Sequence, residues 1–244
     1  MPFQPYPFIV LQSVESTNNY AMAQVHAGMA KHGSAYLALE QTAGKGQRGK
    51  RWESARGENL TMSMVLQPHH LLLSEQFLLS ARVALACFDL VSRLVPGQVS
   101  IKWPNDIYIN DRKAGGILIE NIIHGNTWLY SIVGTGINVN QDGFPDFLVN
   151  AVSLKQTTGI TYDVPGLASQ LYNLVLSRYN SAVSPNDLLK EYNSQLYQLH
   201  NTVRLKKNNI VFAVKIKGVN RNGLLVGETG IEEEFSAGEV EWVK

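Results

Sequence analysis

The 244-residue chain carries 21 lysines and arginines against 20 aspartates and glutamates, with 45% hydrophobic residues, 17% charged residues and one cysteine, Cys87. A formal net charge of +1 excludes nucleic-acid binding through an overall positive field. A lone cysteine excludes an intramolecular disulfide framework or a multi-cysteine metal site and fits a reducing compartment.

In chain order, the N-terminus has no basic segment, and Pro2, Pro5 and Pro7 interrupt its apolar residues, so no signal peptide is expected. Phe8 to Leu11 reads as a short strand. Ser16, Thr17 and Asn18 supply N-cap chemistry for a helix that stops near Gly28. Ser34 to Glu40 reads as a strand, residues 41–58 as a loop, and Leu60 to Leu66 as a strand with at least one buried face. The clearest helix spans about Ser74 to Leu94, with Phe77, Leu78, Ala81, Ala84, Leu85, Phe88 and Val91 on one face and Pro96-Gly97 behind it. Arg82, Asp89 and Arg93 interrupt this stretch, so it is not a membrane span. A soluble, cytoplasmic chain is expected.

Short strands follow at Val99–Trp103, Ile107–Ile109, Gly116–Ile123 and Trp128–Val133. Asn110-Asp111 and Gly125-Asn126 join neighbouring runs as antiparallel hairpins. Trp128–Val133 would suit an edge that pairs across a dimer, and both monomer and homodimer stay open. Asp163 and Ser184 each precede an early-turn proline and start two further helices. After His200, five valine-rich runs with close turn signals suggest a small barrel. The fold class is therefore α+β, with a catalytic-size domain over 1–199 and a small β domain over 200–244.

The charge is not spread evenly. Lys45, Arg48, Lys50 and Arg51 sit among Gly44, Gly46 and Gly49 with no acid between them, and without these four the chain would be net −3. The glycines satisfy GxGxxG and most of the P-loop pattern. Both patterns need a helix at once, and the P-loop needs Ser or Thr where Arg51 stands, so neither applies. Glycine amides and four cations nonetheless suit a polyphosphate or acyl phosphate. The same residues suit a solvated basic loop, or an RNA-binding loop with Trp52 for stacking. Three more clusters share the theme: Lys102 with Pro104, Asn105 and Asp106; Arg112 and Lys113 before Gly115, Gly116 and Glu120; and Gly134, Gly136, Asn138 and Asn140. Singly, each also fits a turn or bulge. The six histidines show no metal-ligand spacing, and metal ligands are undetermined.

Together these segments resemble the biotin–protein ligases (biotin–[acetyl-CoA-carboxylase] ligases), in the form without an N-terminal DNA-binding domain. The matching blocks are Ser16 to Asn18, Gln41 to Trp52, Lys102 to Asp106, Arg112 to Glu120 and Gly134 to Asn138, in order across nearly the whole chain. The resemblance implies a class II synthetase-like catalytic domain with a mixed, largely antiparallel sheet flanked by helices, and a C-terminal SH3-like barrel. It implies that biotin and ATP, the latter as its Mg2+ complex, form biotinyl-5′-adenylate. The biotinyl group then passes to a lysine of a biotin carboxyl carrier protein. Ser16, Thr17, Asn18 and Gln41 would face the ureido ring, and Lys45, Gly46 and Gln47, with Gly115 and Gly116, would line the biotin and its adenylate. Arg48, Lys50, Trp52, Lys102, Asn105 and Asn138 would contact ATP or the adenylate. Lys113 would bridge carboxylate and α-phosphate, and Asp106 would receive the incoming lysine amine. Gln47 stands where many members carry arginine, so adenylate retention is the property put in question. The early Ser16 block leads to the expectation of no repressor domain and no DNA binding. Two rivals remain: a lipoate or octanoate attachment enzyme, and a noncatalytic RNA-binding protein.

Overall fold

The computed structural model describes residues 6–243; Pro2 and Pro5, which bear on the signal-peptide reading, lie outside them. β1 (Phe8–Leu11) leads through α1 (Thr17–His26) to β2 (Ala35–Ala38), and the two strands pair in parallel. β3 (Leu60–Leu66) follows, and all seven of its residues are buried, so it lies inside the sheet with both faces covered. After α2 (Gln76–Leu94) come β4 (Val99–Lys102), β5 (Asp106–Ile109), β6 (Arg112–His124) and β7 (Thr127–Ile137). The sheet order is β1-β2-β3-β7-β6-β5-β4, antiparallel everywhere except β1 with β2.

Alternation along the strands separates two faces. Ala35, Leu37, Met62, Met64 and Val133 join the main core against α2, α4 (Val164–Asn180) and α5 (Pro185–Ser194). Tyr36, Val65 and Ile132 point the other way and pack with Ala21 and Tyr20 of α1. Eleven residues of α2 are buried, including Leu78, Leu79, Leu85 and Leu90, each such leucine contributing about 2 kcal/mol. Cys87 lies among them, and burial pushes its thiol up to about 12. Helix α3 (Leu154–Thr158) starts on a capping box of Ser153 with Gln156 and ends at Gly159. Five residues hold too little periodicity to announce themselves.

Arg82 is a second polar device in this core, only 6% exposed. Its guanidinium donates to the carbonyls of Arg178, Ser181 and Val183 at 2.6, 3.1 and 3.4 Å. Arg178 lies in the last turn of α4, Ser181 is its C-cap residue and Val183 belongs to the segment that follows, a stretch where helical carbonyls run short of donors. Burial is the main reason its pKa is lowered. Arg82→Ala removes these donors from the end of α4 and a buried side chain from the core, and lowers stability by about 2 kcal/mol, read as the shift of the urea unfolding midpoint at unchanged slope.

The C-terminal unit is a five-stranded antiparallel sheet of β8 (Thr202–Lys207), β9 (Ile210–Val219), β10 (Leu225–Glu228), β11 (Glu232–Phe235) and β12 (Glu241–Val243), ordered β11-β10-β9-β8-β12. The expected α+β class is what the structure shows. No helix among the described residues is long and apolar enough to cross a membrane.

Three expectations need correction. β6 and β7 are longer than expected, running to 13 and 11 residues, because Gly115, Gly116, Gly134 and Gly136 lie inside strands rather than between them. Trp128–Val133 is not an edge: from Ser131 onward β7 pairs with β3 on one side and β6 on the other. The 41–58 loop contains a bridge of Lys45 with Arg51 and a single turn of 3₁₀ helix at Gln47–Gly49. As expected, no helix follows Arg51 before β3.

Candidate active site

The face of the sheet that carries α1 is divided, apolar under the body of the helix at Tyr36, Val65 and Ile132 and small and polar by its first turn. Ser63 of β3 and Gly134 of β7 meet the first turn of α1 there, and Thr61 of β3 and Gly136 of β7 continue the lining of the cleft. Ser16, Thr17 and Asn18 are 2–4% exposed. Ser16 is the N-cap residue, yet its side chain makes no cap bond and lines the cleft instead. Thr17 donates through its backbone N–H and its hydroxyl to Gln41 Oε1, at 2.7 and 3.0 Å. Asn18 Nδ2 donates to Glu120 Oε2 at 2.7 Å and to the Leu118 carbonyl at 3.3 Å. Ser63 Oγ lies 2.7 Å from Thr17 Oγ1 and 2.6 Å from Asn18 Oδ1, and its one proton serves one of them at a time. The first turn of α1 is thereby fixed as a rigid set of hydroxyl and amide groups.

The glycine-basic loop covers this set. It is pinned by Gly46 N–H on the Lys50 carbonyl at 2.7 Å and Trp52 N–H on the Gly44 carbonyl at 2.9 Å. Arg48 adopts φ 58 and Gly49 φ 74, a left-handed pair that reverses the chain at the tip. Trp52 returns into the cleft and packs against Gly136, where a Cβ would stand 2.5 Å from its ring. Trp52 Nε1 is buried with no hydrogen-bond partner, a donor suited to a bound ligand.

Lys113 and Asp106 close the other end. Between β5 and β6 the register shifts by one residue, with Ile107 opposite Gly115 but Tyr108 opposite Lys113. The extra residue turns Lys113 onto the face that Gly116 occupies. There its ammonium lies 2.7 Å from Asp106 Oδ1 and 5.9 Å from the Trp52 ring centre. The Lys113 and Asp106 side chains are 35% and 22% exposed, so the pair is reachable from solution. Asn105 Nδ2 donates to the Ile117 carbonyl at 2.9 Å, holding the turn against β6.

The structure thus brings into one cleft Ser16, Thr17, Asn18, Gln41, Lys45, Gly46, Gln47, Trp52, Asn105, Lys113 and Gly116, with Asp106 paired to Lys113. Five candidates lie elsewhere. Gly115 is buried within the sheet, beside the Gly136 carbonyl. Asn138 is 4% exposed and spends its amide on the carbonyls of Lys113 and Val152 at 3.3 and 3.1 Å. Arg48 donates to the Ala237 carbonyl of the C-terminal unit. Lys50 is exposed on the loop. Lys102 is held by Tyr108, Tyr197 and Trp242. Sequence reasoning missed Thr61, Ser63 and Leu118 as contributors, and grouped Glu120 with Lys113 without giving it a role. A usable signal existed in β3, where Thr61 and Ser63 alternate with methionine and leucine. Among the described residues no group of three His, Cys, Asp or Glu side chains could hold a metal ion.

A family model described as the biotin/lipoate A/B protein ligase family matches residues 10–138. The chain is 32% identical over 238 residues to the bifunctional ligase/repressor BirA of Bacillus spizizenii, covering 94% of this chain and 72% of that protein. It is 37% identical over 140 residues to the biotin–[acetyl-CoA-carboxylase] ligase of Paracoccus denitrificans, covering 56% and 55%. The solved biotin protein ligase of Aquifex aeolicus in complex with biotin and ATP superposes with a TM-score of 0.82 at 24% identity, over 98% of this chain and 99% of that one.

Proposed function

The chain belongs to the biotin/lipoate A/B protein ligase family and is a ligase, and from that premise we propose the following reaction for it. Biotin and ATP, the latter carrying Mg2+ on its phosphates, give biotinyl-5′-adenylate and pyrophosphate. The biotinyl group then passes to a lysine of a biotin carboxyl carrier protein, and AMP leaves. The observation that carries this reading is one cleft with a rigid hydroxyl–amide set at one end and the Lys113–Asp106 pair at the other. A ureido ring offers two donors and one acceptor, which suit Ser16, Thr17, Asn18 and Gln41. The aliphatic end of lipoate or octanoate would leave that set without partners.

In the first step the biotin carboxylate attacks the α-phosphorus, and the bond to pyrophosphate breaks. Anions meet, so catalysis is alignment and charge neutralisation. Lys113 supplies the charge at the junction, with Lys45, Gly46, Gln47 and Gly116 along the acyl group and Trp52 over it. Asn105 belongs with the nucleotide; Arg48, turned to the Ala237 carbonyl, and Lys50, exposed on the loop, would have to re-aim their side chains to reach its phosphates. Gly115 and Asn138 act indirectly, by shaping the strand that carries Lys113. In the second step the lysine amine attacks the acyl carbon, its C–O bond to AMP breaks, and Asp106 takes the amine proton. The division of labour is 1–199 for this chemistry and 200–244 for the small β unit, in the cytoplasm where ATP is available. The near-neutral net charge supports a ligase without DNA repression in these 244 residues. A sequence-selective shift of operator DNA would overturn that part.

Pyrophosphate release, measured with biotin, lipoate and octanoate in parallel, is expected to require ATP and biotin and to stay at background with the other two acids. Release independent of biotin sinks the reading.

A further inference from the structure

The hairpin that carries Asp106 is held from outside by the C-terminal sheet. Lys102 stands opposite Asp106 in the β4–β5 register. Its ammonium donates to Tyr108 Oη at 3.1 Å and lies 4.6, 5.1 and 5.5 Å from the ring centres of Tyr108, Trp242 and Tyr197. These rings come from β5, from β12 and from the segment between α5 and β8. They form one array, Tyr197 lying 5.2 Å from Tyr108 and 5.8 Å from Trp242. Three electron-rich faces around one ammonium hold it by cation–π attraction where part of its water has been removed. Burial, and then Asp106, raise the Tyr108 pKa, so its phenol stays protonated and accepts from Lys102.

Backbone contacts fix the same place. Ile101 N–H donates to the Gln195 carbonyl and Tyr197 N–H to the Ile101 carbonyl, both at 2.8 Å. Trp103 Nε1 donates to the Gly223 carbonyl at 2.9 Å. Gly223 itself has φ 81 and sits against Phe77, so its turn is seated on the first turns of α2. Lys102 does not line the cleft.

We propose that Lys102 is a positioning residue through which β12, by way of Trp242, holds Asp106 in register with Lys113. On this view the acyl-transfer step depends on the C-terminal sheet, and ATP binding does not depend on Lys102. The proposal rests on the two-step reading above, with Asp106 as the group that takes the amine proton.

The test uses the full chain and the variants Lys102→Met, Lys102→Arg, Trp242→Leu and Trp242→Phe. Biotin-dependent pyrophosphate release gives the KM for ATP. Single-turnover transfer from preformed biotinyl-adenylate to a biotin carboxyl carrier domain, across pH, isolates the second step. Lys102→Met and Trp242→Leu are expected to slow transfer about ten-fold, to move its pH optimum upward as the amine loses an aligned base, and to leave the KM for ATP unchanged. Lys102→Arg and Trp242→Phe, which keep a cation and a ring, are expected to retain transfer and keep the comparison open if a truncating variant unfolds. A raised KM for ATP in Lys102→Met with Trp242→Leu unaffected would make Lys102 a nucleotide ligand and overturn the proposal. So would transfer rates and pH profiles equal to the parent's in both variants, or a uniform loss with the pH profile unmoved. If the parent chain shows no biotin-dependent pyrophosphate release, the two-step reading fails instead.

Discussion

Lys113→Ala loses biotin-dependent pyrophosphate release by about three orders of magnitude while the protein stays folded. The size of the loss follows from where the ammonium stands. It is the cation that the β5–β6 bulge aims into the cleft, and no other lysine or arginine of the described cleft lining shares its end; Lys45 comes from the covering loop. A carboxylate and a phosphate cannot approach without a compensating charge, and water, which would screen them, is partly displaced there. The folding cost is small by contrast. Asp106 and Lys113 keep side-chain exposures of 22% and 35%, so the orphaned carboxylate is rehydrated and the pair contributes about 1 kcal/mol or less. The measurement is steady-state pyrophosphate release beside a thermal melt. Release within ten-fold of the parent would show that the junction of carboxylate and phosphate lies elsewhere.

Gly136→Ala costs about a hundred-fold in kcat/KM, and Gly134→Ala lowers biotin affinity and stability together. Neither position is glycine for the sake of its backbone, since both lie in ordinary strand conformation. Each is glycine because of what leans on it. An alanine Cβ at 136 would stand 2.5 Å from the Trp52 ring, and one at 134 would stand 2.3 Å from Asn18 Oδ1. β7 cannot retreat, being hydrogen-bonded to β3 and β6 on both sides. At 136 the ring gives way, because it belongs to a loop, and the loop lifts off the cleft. At 134 the neighbour is Asn18, tied to Glu120 at 2.7 Å, so strain of about 1–3 kcal/mol stays in the fold. That corresponds to a melting temperature lower by several degrees in a chain of this size. Gly143→Ala, with nothing near the added Cβ, serves as the neutral control. Calorimetry and biotin-dependent adenylate formation separate the cases. Full activity in Gly136→Ala would mean that Trp52 does not close the cleft.

Much of this architecture is legible in local patterns. The apolar stripe from Phe77 to Val91 specifies α2, because 3.6-residue periodicity and a following Pro96-Gly97 leave no other element. Ser184 caps α5 as its type and position suggest, accepting from the Asp187 amide. The five C-terminal runs become β8 to β12, because short alternating segments between turn residues have one way to bury a face. Reading fails where glycine is involved. Gly134 and Gly136 look like breaks in a strand and Gly116 like a strand's start, and they are the places where a strand makes room for a side chain from another element.

The sequence by itself determined the element types, the α+β class and the charge-bearing clusters, because these depend on residues a few positions apart. Only the tertiary structure decided which members of a cluster work together. Lys113 and Lys102 are lysines beside the same hairpin, and their spacing does not reveal that one faces Asp106 across the cleft while the other is caged by aromatic rings. Arg48 and Lys45 lie three residues apart, yet Arg48 reaches a carbonyl 189 positions away and Lys45 lines the cleft. A charge has the same sign whichever way it points; its direction is set by strand register, a one-residue bulge and the partners that long-range packing supplies.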